Sequence, residues 1–303
     1  MPGRRALRVR GAWAERRIRR PSRLPPPRLP EVVDQEAAHA VGCIVISKDR
    51  PLQLDACLRS LDQFWPYAGP RTVIYKASDD PYAEGYRVLA GESTVDFIAE
   101  TKSLRRHVLG LLARAPRYAA FFMDDDLMFQ RPQAAVVPPE GFAAVSLRLG
   151  LNTTISYADR SDQSLPEFVR RPPLIAWDWT TAEFDFGYPL SLDGSVFDTA
   201  LLRRLLVTMR FKSPNQLEEQ MHVRRDRVPR WMLACEHSSL VNIPANIVTE
   251  THTNRAGTDP EMSPEALNAR FLDGERIDLQ AMDFSDIVGA HQDIPVISSN
   301  RPG

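Results

Sequence analysis

Apolar runs and helical spacings alternate along the chain from residue 41 onward. Short apolar, β-branched runs predict strands, and apolar residues three or four positions apart predict helices. In the first half this pattern predicts strands at 41–47, 71–76, 94–98 and 118–123 and helices from Pro51 and over 101–114. Such alternation is typical of a mostly parallel sheet with helices on both faces, where ligands bind beyond the carboxyl ends of the strands.

The second half of the chain is less regular. Ser213 and Ser263 each precede a proline, which is the pattern of a helix cap followed by the first helical residue. The remaining predictions are strands at 142–149 and 240–248, helices at 198–209, 213–221 and 263–272, and a loop containing Trp177, Trp179 and Asp185. No internal repeat and no strong linker divides this part, so we expect one domain.

The composition is that of an ordinary globular protein, with 303 residues of which 43% are hydrophobic and 25% charged. Its three cysteines form no CxxC pair and leave an odd count, which argues against a disulfide framework or a cysteine-rich zinc site. No apolar stretch approaches the ~20 residues that span a bilayer, and the chain does not start with an apolar signal segment. We therefore expect a cytoplasmic protein.

The charge is unevenly distributed. Residues 1–30 contain ten arginines and one acid, a local charge of +9, so the remaining residues sum to −10. Five of the ten residues from Pro21 to Pro30 are proline, and we expect 1–37 to be a disordered basic tail and 38–303 a folded domain. The tail lacks the interleaved aromatic residues that stack on bases, so no nucleic acid is expected. The segment AWAERRIRR favours peripheral contact with an anionic membrane.

The most informative chemistry is the triplet Asp124, Asp125 and Asp126, directly after the apolar run YAAFFM. Adjacent carboxylates repel one another, and burying them is costly unless a cation or several donors compensate. Because alternate residues of an extended segment point the same way, Asp124 and Asp126 are expected to face one site. Such oxygen ligands suit Mg²⁺ or Mn²⁺ shared with substrate phosphates. The alternative is a solvated turn, but the apolar residues on both sides weaken it.

Other phosphate-binding motifs are missing, because the sequence contains neither GxGxxG after a strand nor GxxxxGK[ST]. Five segments occur in the order seen in bacterial glycosyltransferases with the GT-A fold, particularly those of family 2: VGCIVISKDRPLQLDACLRSL, FFMDDDLMF, SLDGSVFDTALL, SPNQLEE and VNIPANIVTETHTNRAG. The resemblance covers about residues 40–260. It implies an α/β, GT-A-like (Rossmann-like) domain that transfers a sugar from a nucleotide-diphosphate-sugar donor to a hydroxyl acceptor, with inversion and with Mn²⁺ or Mg²⁺.

The resemblance also implies roles for individual residues of the donor site. The positively charged group near the diphosphate is Lys102 or Arg105, for which a solvated helix face is an equally good interpretation. The metal ligands are Asp124, Asp126 and His252, and His252 is also interpretable as a surface histidine. The remaining donor residues are Ser47, Lys48, Asp49 and Arg50 in the nucleotide loop, Asp79 or Asp80 near the base or ribose, and Asp125.

For the acceptor, the resemblance implies a carboxylate base at the start of a helix. Family 2 enzymes usually have Glu-Asp there, whereas this chain has Glu218-Glu219, and Glu218 follows the motif best. Asp193, before Gly194 in a predicted tight turn, is the competing base. Glu218 as a simple helix cap is the structural alternative. The tryptophans of the predicted loop either stack on an acceptor ring or pack in the core.

Two other functions stay open from the sequence. A Mg²⁺-dependent nucleotidyltransferase also uses paired aspartates, but it releases pyrophosphate from a nucleoside triphosphate. A non-enzymatic protein that binds nucleic acid through the arginine-rich tail would bind in a salt-dependent manner.

Overall fold

The computed structural model describes residues 28–30, 40–101, 103–246 and 260–300. Within these ranges the helices are α1 (Pro51–Phe64), α2 (Asp80–Glu92), α3 (Leu104–Leu112), α4 (Thr199–Leu206), α5 (Pro214–Val223) and α6 (Pro264–Leu272), with short 3₁₀ helices at Phe184–Gly187, Arg225–Arg227 and Pro260–Met262.

The strands of the described residues number fifteen, and several are only two or three residues long. They are β1 (Val41–Lys48), β2 (Arg71–Lys76), β3 (Asp96–Ala99), β4 (Tyr118–Met123), β5 (Asp126–Met128), β6 (Phe142–Ser146), β7 (Ile155–Ser156), β8 (Ser161–Asp162), β9 (Val169–Arg171), β10 (Leu174–Asp178), β11 (Ser195–Asp198), β12 (Trp231–Cys235), β13 (Leu240–Asn242), β14 (Glu275–Ile277) and β15 (Ser298–Asn300).

Nine of these strands form the central sheet, in the order β3-β2-β1-β4-β11-β6-β12-β10-β9. The strands β3, β2, β1 and β4 are parallel, and the pairings show that only β11 and β10 run opposite to the other seven. The predicted mostly parallel sheet is therefore confirmed. The edge strands are β3 and β9.

Alternating side chains of β1 build two separate cores. Val41, Cys43 and Val45 pack with α1, α2 and α6 on one face of the sheet, whereas Ile44 and Ile46 pack with α3, α4 and α5 on the other. Successive strand residues point to opposite faces, so a strand buried on both sides is apolar throughout. This pattern explains why the VGCIVIS run is a reliable sequence signal, and it confirms the prediction of one α/β domain with helices on both faces.

The predicted caps of two helices are confirmed. The Ser213 hydroxyl accepts a hydrogen bond from the Gln216 amide at the start of α5, and the Ser263 hydroxyl accepts one from Ala266 at the start of α6. Each cap satisfies an amide that has no partner within its helix. The bounds of α5 and α6 lie within two residues of those predicted, whereas α4 ends three residues earlier than predicted, at Leu206.

The predicted loop around the tryptophans is wrong at Trp177, which lies in β10. Trp177 is fully buried and its indole N–H donates to the Phe186 carbonyl, while the Trp179 indole donates to Pro229. Both rings belong to the core, as the packing interpretation held. The strand predicted over 240–248 extends only from Leu240 to Asn242, and residues 247–259 lie outside the described residues.

Most of the predicted tail lies outside the described residues, but Leu29 does not. Its side chain is 5% exposed and belongs to the core cluster that contains α1, and its carbonyl accepts a hydrogen bond of 3.2 Å from Arg171. The boundary at residue 37 remains a prediction. In the part of the chain that the structure describes, no helix is both long and apolar enough to cross a membrane.

We expect Leu29→Ala to lower the free energy of unfolding by about 2 kcal/mol, because it removes buried apolar contacts of the segment before the domain. Urea unfolding measures the loss. The control is Leu165→Ala, since Leu165 is 39% exposed and should change stability by less than about 0.5 kcal/mol. Equal effects of the two variants would show that Leu29 does not contribute to the core.

Candidate active site

The acidic triplet begins where β4 ends, next to the carboxyl end of β1. The two strands pair in parallel with Ile46 opposite Met123, so Ser47 and Lys48 lie beside Asp124. One oxygen of Asp124 accepts hydrogen bonds from the Ser47 hydroxyl at 2.8 Å and the Lys48 amide at 3.0 Å. Asp124 is 1% exposed, and burial raises its pKa to about 6 although the Arg50 charge opposes this.

Arg50 supplies the positive charge that the triplet requires. Its Nη1 donates to Asp124 at 2.9 Å and to Asp125 at 2.8 Å, and its Nε donates to the Asn246 side chain at 2.8 Å. Burial alone would lower the pKa of Arg50, but the two carboxylates raise it above its usual value. A guanidinium is well suited to such a buried pair because it can donate in several directions in one plane.

Asp126 faces away from Arg50, towards Asn242 of β13. One oxygen of Asp126 accepts from the Met123 amide at 2.9 Å, and the other accepts from the Asn242 side chain at 2.9 Å. The same Asn242 nitrogen donates to Asp125 at 2.7 Å. The pKa of Asp126 is raised well above its usual range, mainly by burial and also by the negative charges of Asp193 and Asp125. Arg50 and Asn242 thus hold the triplet from two sides.

A divalent ion on Asp124 and Asp126 would have to share their oxygens with protein donors. Each of the four carboxylate oxygens already accepts a hydrogen bond from the protein, and an ion at Asp124 would compete with Arg50. Among the described residues, no three His, Cys, Asp or Glu side chains are grouped to hold a metal ion. His252, the third predicted ligand, lies outside the described residues. Metal binding at these residues stays a prediction.

The predicted nucleotide loop lies at the turn from β1 to α1. Asp49 has a left-handed backbone with φ of 56°, an uncommon conformation for a residue with a side chain, and its carboxylate accepts from both the amide and the hydroxyl of Ser78. Asp79 caps α2 by accepting from Tyr82, and Asp80 is exposed in the first turn. The loop after β2 is therefore held against the end of β1.

Of the two predicted diphosphate contacts, Lys102 lies outside the described residues. The Arg105 guanidinium donates to the carbonyls of Met209 and Val207 at 2.7 and 2.8 Å, which ties α3 to the end of α4. None of the contacts described for Arg105 involves the acidic triplet. Its place in the donor site therefore stays a prediction, and the structure gives it a clear packing role.

The two candidate bases, Asp193 and Glu218, are brought together. Because β11 runs antiparallel to β4, Asp193 just before β11 lies near the end of β4. The Ser191 hydroxyl is 3.2 Å from a carboxylate oxygen of each candidate base, so its single proton can serve only one of them at a time. Gly194 has φ of 60°, and a Cβ there would lie 2.8 Å from Leu240, which confirms the predicted tight turn.

Glu218 is not a cap of its own helix. It is the fifth residue of α5, which has no acid in its first turn, and its carboxylate accepts from the Leu192 amide at 2.9 Å. The contact ties α5 to the loop before β11. The capping interpretation of Glu218 is therefore wrong for α5.

The environments of the two carboxylates push their pKa values apart. Burial raises the pKa of Glu218 most, and the negative charge of Asp193 raises it further, to about 7. Burial would also raise the pKa of Asp193, but a hydrogen bond from His291 and the charges of His291 and Arg148 bring it below its usual value. Such a split is the pattern in which one carboxylate stays ionised and its neighbour exchanges a proton near pH 7.

His291 and Arg148 were not predicted from the sequence. The His291 Nε2 lies 3.3 Å from Asp193, and Arg148, fully buried, donates to Asp185 at 2.8 Å. Arg148 lies in a segment predicted as an apolar strand, and His291 lies in an irregular C-terminal segment with no motif. Only the requirement that buried carboxylates have a cationic neighbour could have suggested an arginine near the site.

The sheet order, with reversed β11 between the parallel strands β4 and β6, is that of an α/β sheet with helices on both faces. The fold class is α/β, as predicted, and the GT-A likeness stays a prediction. Solved structures that match the chain include S. aureus TarS, with a TM-score of 0.45 and 13% identity over 66% of this chain and 36% of that one. The chain thus spans about a third of that TarS structure.

Two further matches are weaker. The mannosyltransferase PcManGT from Pyrobaculum calidifontis, solved with GDP-Man and Mn²⁺, has a TM-score of 0.33 and 16% identity over 56% of this chain and 49% of that one. Apo-UDP-glucose pyrophosphorylase has a TM-score of 0.36 and 6% identity over 67% of this chain and 93% of that one. No protein-family model and no curated protein matches the chain. At these similarities the function has to be argued from the site itself.

Proposed function

We propose that the chain is a glycosyltransferase that moves a sugar from a nucleotide-diphosphate-sugar donor to a hydroxyl acceptor. The observation that carries the proposal is the pair Asp193 and Glu218, joined through Ser191 and lying near Asp126 at the end of a parallel strand. It provides a base for a hydroxyl group close to the carboxyl end of β4, and ligands of parallel sheets usually bind at this edge.

The donor is proposed to bind at the turn after β1. Ser47 to Arg50 line the end of this strand, and the Lys48 ammonium lies 3.9 Å from Asp49 with its side chain 32% exposed. Lys48 is thus a cation within reach of solvent, suited to a diphosphate, whereas Arg50 is occupied by the triplet. The base or ribose is proposed to lie near Asp79 and Asp80, at the start of α2.

In the proposed reaction, Glu218 removes the proton of the acceptor hydroxyl as its oxygen attacks the anomeric carbon. The bond from that carbon to the diphosphate oxygen breaks, and the nucleoside diphosphate leaves with the bonding electrons. Attack from the face opposite the leaving group inverts the anomeric centre. Lys48 offsets the charge that develops on the diphosphate, and a base with a pKa near 7 is partly ionised at neutral pH.

A screen of nucleotide sugars tests this proposal. Thermal shift should reveal one class of nucleotide sugar that raises the melting temperature, and incubation with that donor should release its nucleoside diphosphate. If none of them stabilises the protein, the proposal fails. Release of pyrophosphate from a nucleoside triphosphate and a sugar phosphate would instead identify a nucleotidyltransferase.

We expect Mn²⁺ alone to leave the melting temperature unchanged, because Asp124 and Asp126 already have protein donors. Mg²⁺ and Mn²⁺ that are shared with substrate phosphates bind only when the nucleotide contributes ligands. Thermal shift with Mn²⁺, with nucleoside diphosphate and with both separates these cases. A rise with Mn²⁺ alone that disappears in Asp124→Asn would contradict this expectation and support the metal site predicted from the sequence.

A further inference from the structure

The segment around His291 is fixed on both sides by backbone hydrogen bonds. The Asn242 amide donates to the Ala290 carbonyl, and the Gln292 amide donates back to Asn242, both at 3.0 Å. On the other side, the amides of Thr154 and Ile155 donate to the Val288 carbonyl at 2.8 and 3.0 Å. His291 therefore lies directly beside Asn242, the residue that holds Asp125 and Asp126.

The side chain of His291 is oriented as well. Its ring stacks on Tyr157, with a centroid distance of 6.4 Å and an interplanar angle of 26°, and the Tyr157 hydroxyl donates to Asp293 at 2.9 Å. In this orientation Nε2 is directed at Asp193, 3.3 Å away. The contact joins the C-terminal segment to the acceptor side of the site.

We propose that His291 is a positioning residue that holds Asp193 as a carboxylate, so that the proton of the acceptor hydroxyl goes to Glu218. This inference rests on the proposed glycosyltransferase function. Two adjacent carboxylates cannot both ionise easily, and a cation next to one of them decides which one stays ionised. His291 contacts Asp193, whereas the hydrogen bonds to Glu218 come from the neutral groups Ser191 and Leu192.

The surrounding charges are consistent with this role. Burial would lower the pKa of His291, but the hydrogen bond and charge of Asp193 raise it above its usual value, with Asp185 contributing and Arg148 opposing. Among the described residues, Arg148, Asp126 and Tyr188 also interact electrostatically with the two carboxylates. His291 is the only one of the described groups that forms an ion pair with Asp193 at this distance.

The first test compares the pH dependence of kcat in His291→Ala and His291→Gln. Without the imidazolium, the Asp193 and Glu218 pair holds its proton more tightly, so the acid limb of kcat should move to higher pH by about 1 unit in His291→Ala. His291→Gln keeps a hydrogen-bond donor and should show a smaller shift. The KM for the donor should stay near wild type in both. His237→Gln, at an exposed histidine, is the control with an unchanged profile.

If His291→Ala only lowers the melting temperature and leaves the pH profile unchanged, His291 is structural and the proposal is overturned. A second test works without turnover and in the wild-type fold. NMR titration of the His291 ring should give a pKa above 6.5, which falls in Asp193→Asn. A wild-type pKa below 6.5 overturns the pairing. If the contact between His291 and Asp193 is intact but the protein transfers no sugar, the proposed function is refuted and the contact is not.

Discussion

Glu218→Gln is expected to lower kcat by about 10²–10⁴-fold while the affinity for the donor stays near wild type. The substitution keeps the shape of the side chain and an oxygen that can accept from the Leu192 amide, but it removes the basicity. In the wild type, kcat should rise with pH through about 7, because Glu218 must lose its proton to act as a base. The residual kcat of Glu218→Gln should not show this rise with pH.

The matched control for Glu218 is its neighbour. Glu219 is exposed on α5, so Glu219→Gln should keep nearly full turnover. Asp193→Asn distinguishes the two candidate bases. If Glu218→Gln turns over normally and Asp193→Asn is inactive, Asp193 is the base and the assignment of Glu218 is wrong.

Arg50→Met is expected to lower the free energy of unfolding by about 3–5 kcal/mol, the cost of removing one partner from a buried ion pair. The variant leaves Asp124 and Asp125 without the guanidinium that donates to both. Urea unfolding measures the loss. Adding Asp124→Asn to Arg50→Met should recover part of it, since it removes one of the two carboxylates that have lost their partner.

Arg87→Met is the surface counterpart of this experiment. Arg87 pairs with Glu84 and its side chain is 73% exposed, so the substitution should cost less than about 1 kcal/mol. A similar small loss in Arg50→Met would show that water or counterions, rather than Arg50, compensate the triplet.

Most of the longer elements of the first half could be predicted because their signal is local. The strand β1 has no polar side chain from Val41 to Ile46, and β2 and β4 begin and end as predicted. Helix α2 was not predicted, although Asp79 caps it and proline follows, because few of its residues are apolar and buried. Strands β10 and β12 were also missed. They pair with each other across more than fifty residues of chain, a partnership that no short sequence pattern reveals.

Part of the site could also be predicted, because the acidic triplet is a local signal in the sequence. The sequence shows that three adjacent carboxylates need a positive charge, and the physical argument for that requirement holds. It could not show that the charge comes from Arg50, 74 residues before Asp124. The proximity of Asp193 and Glu218 depends on the reversed direction of β11, and the contact with His291 depends on how the C-terminal segment returns to β13.

The two edge strands of the central sheet affect whether the protein associates with itself at high concentration. An open sheet edge is a template for adding a strand from another molecule, and charged side chains on a short edge strand oppose this. Strand β3 has four residues and exposes Asp96, and β9 has three residues and exposes Arg170 and Arg171. A symmetric pairing of β9 with itself would bring arginines together, and β3 is short and begins with a charged residue. We therefore expect the protein to resist sheet-extending self-association and fibril growth.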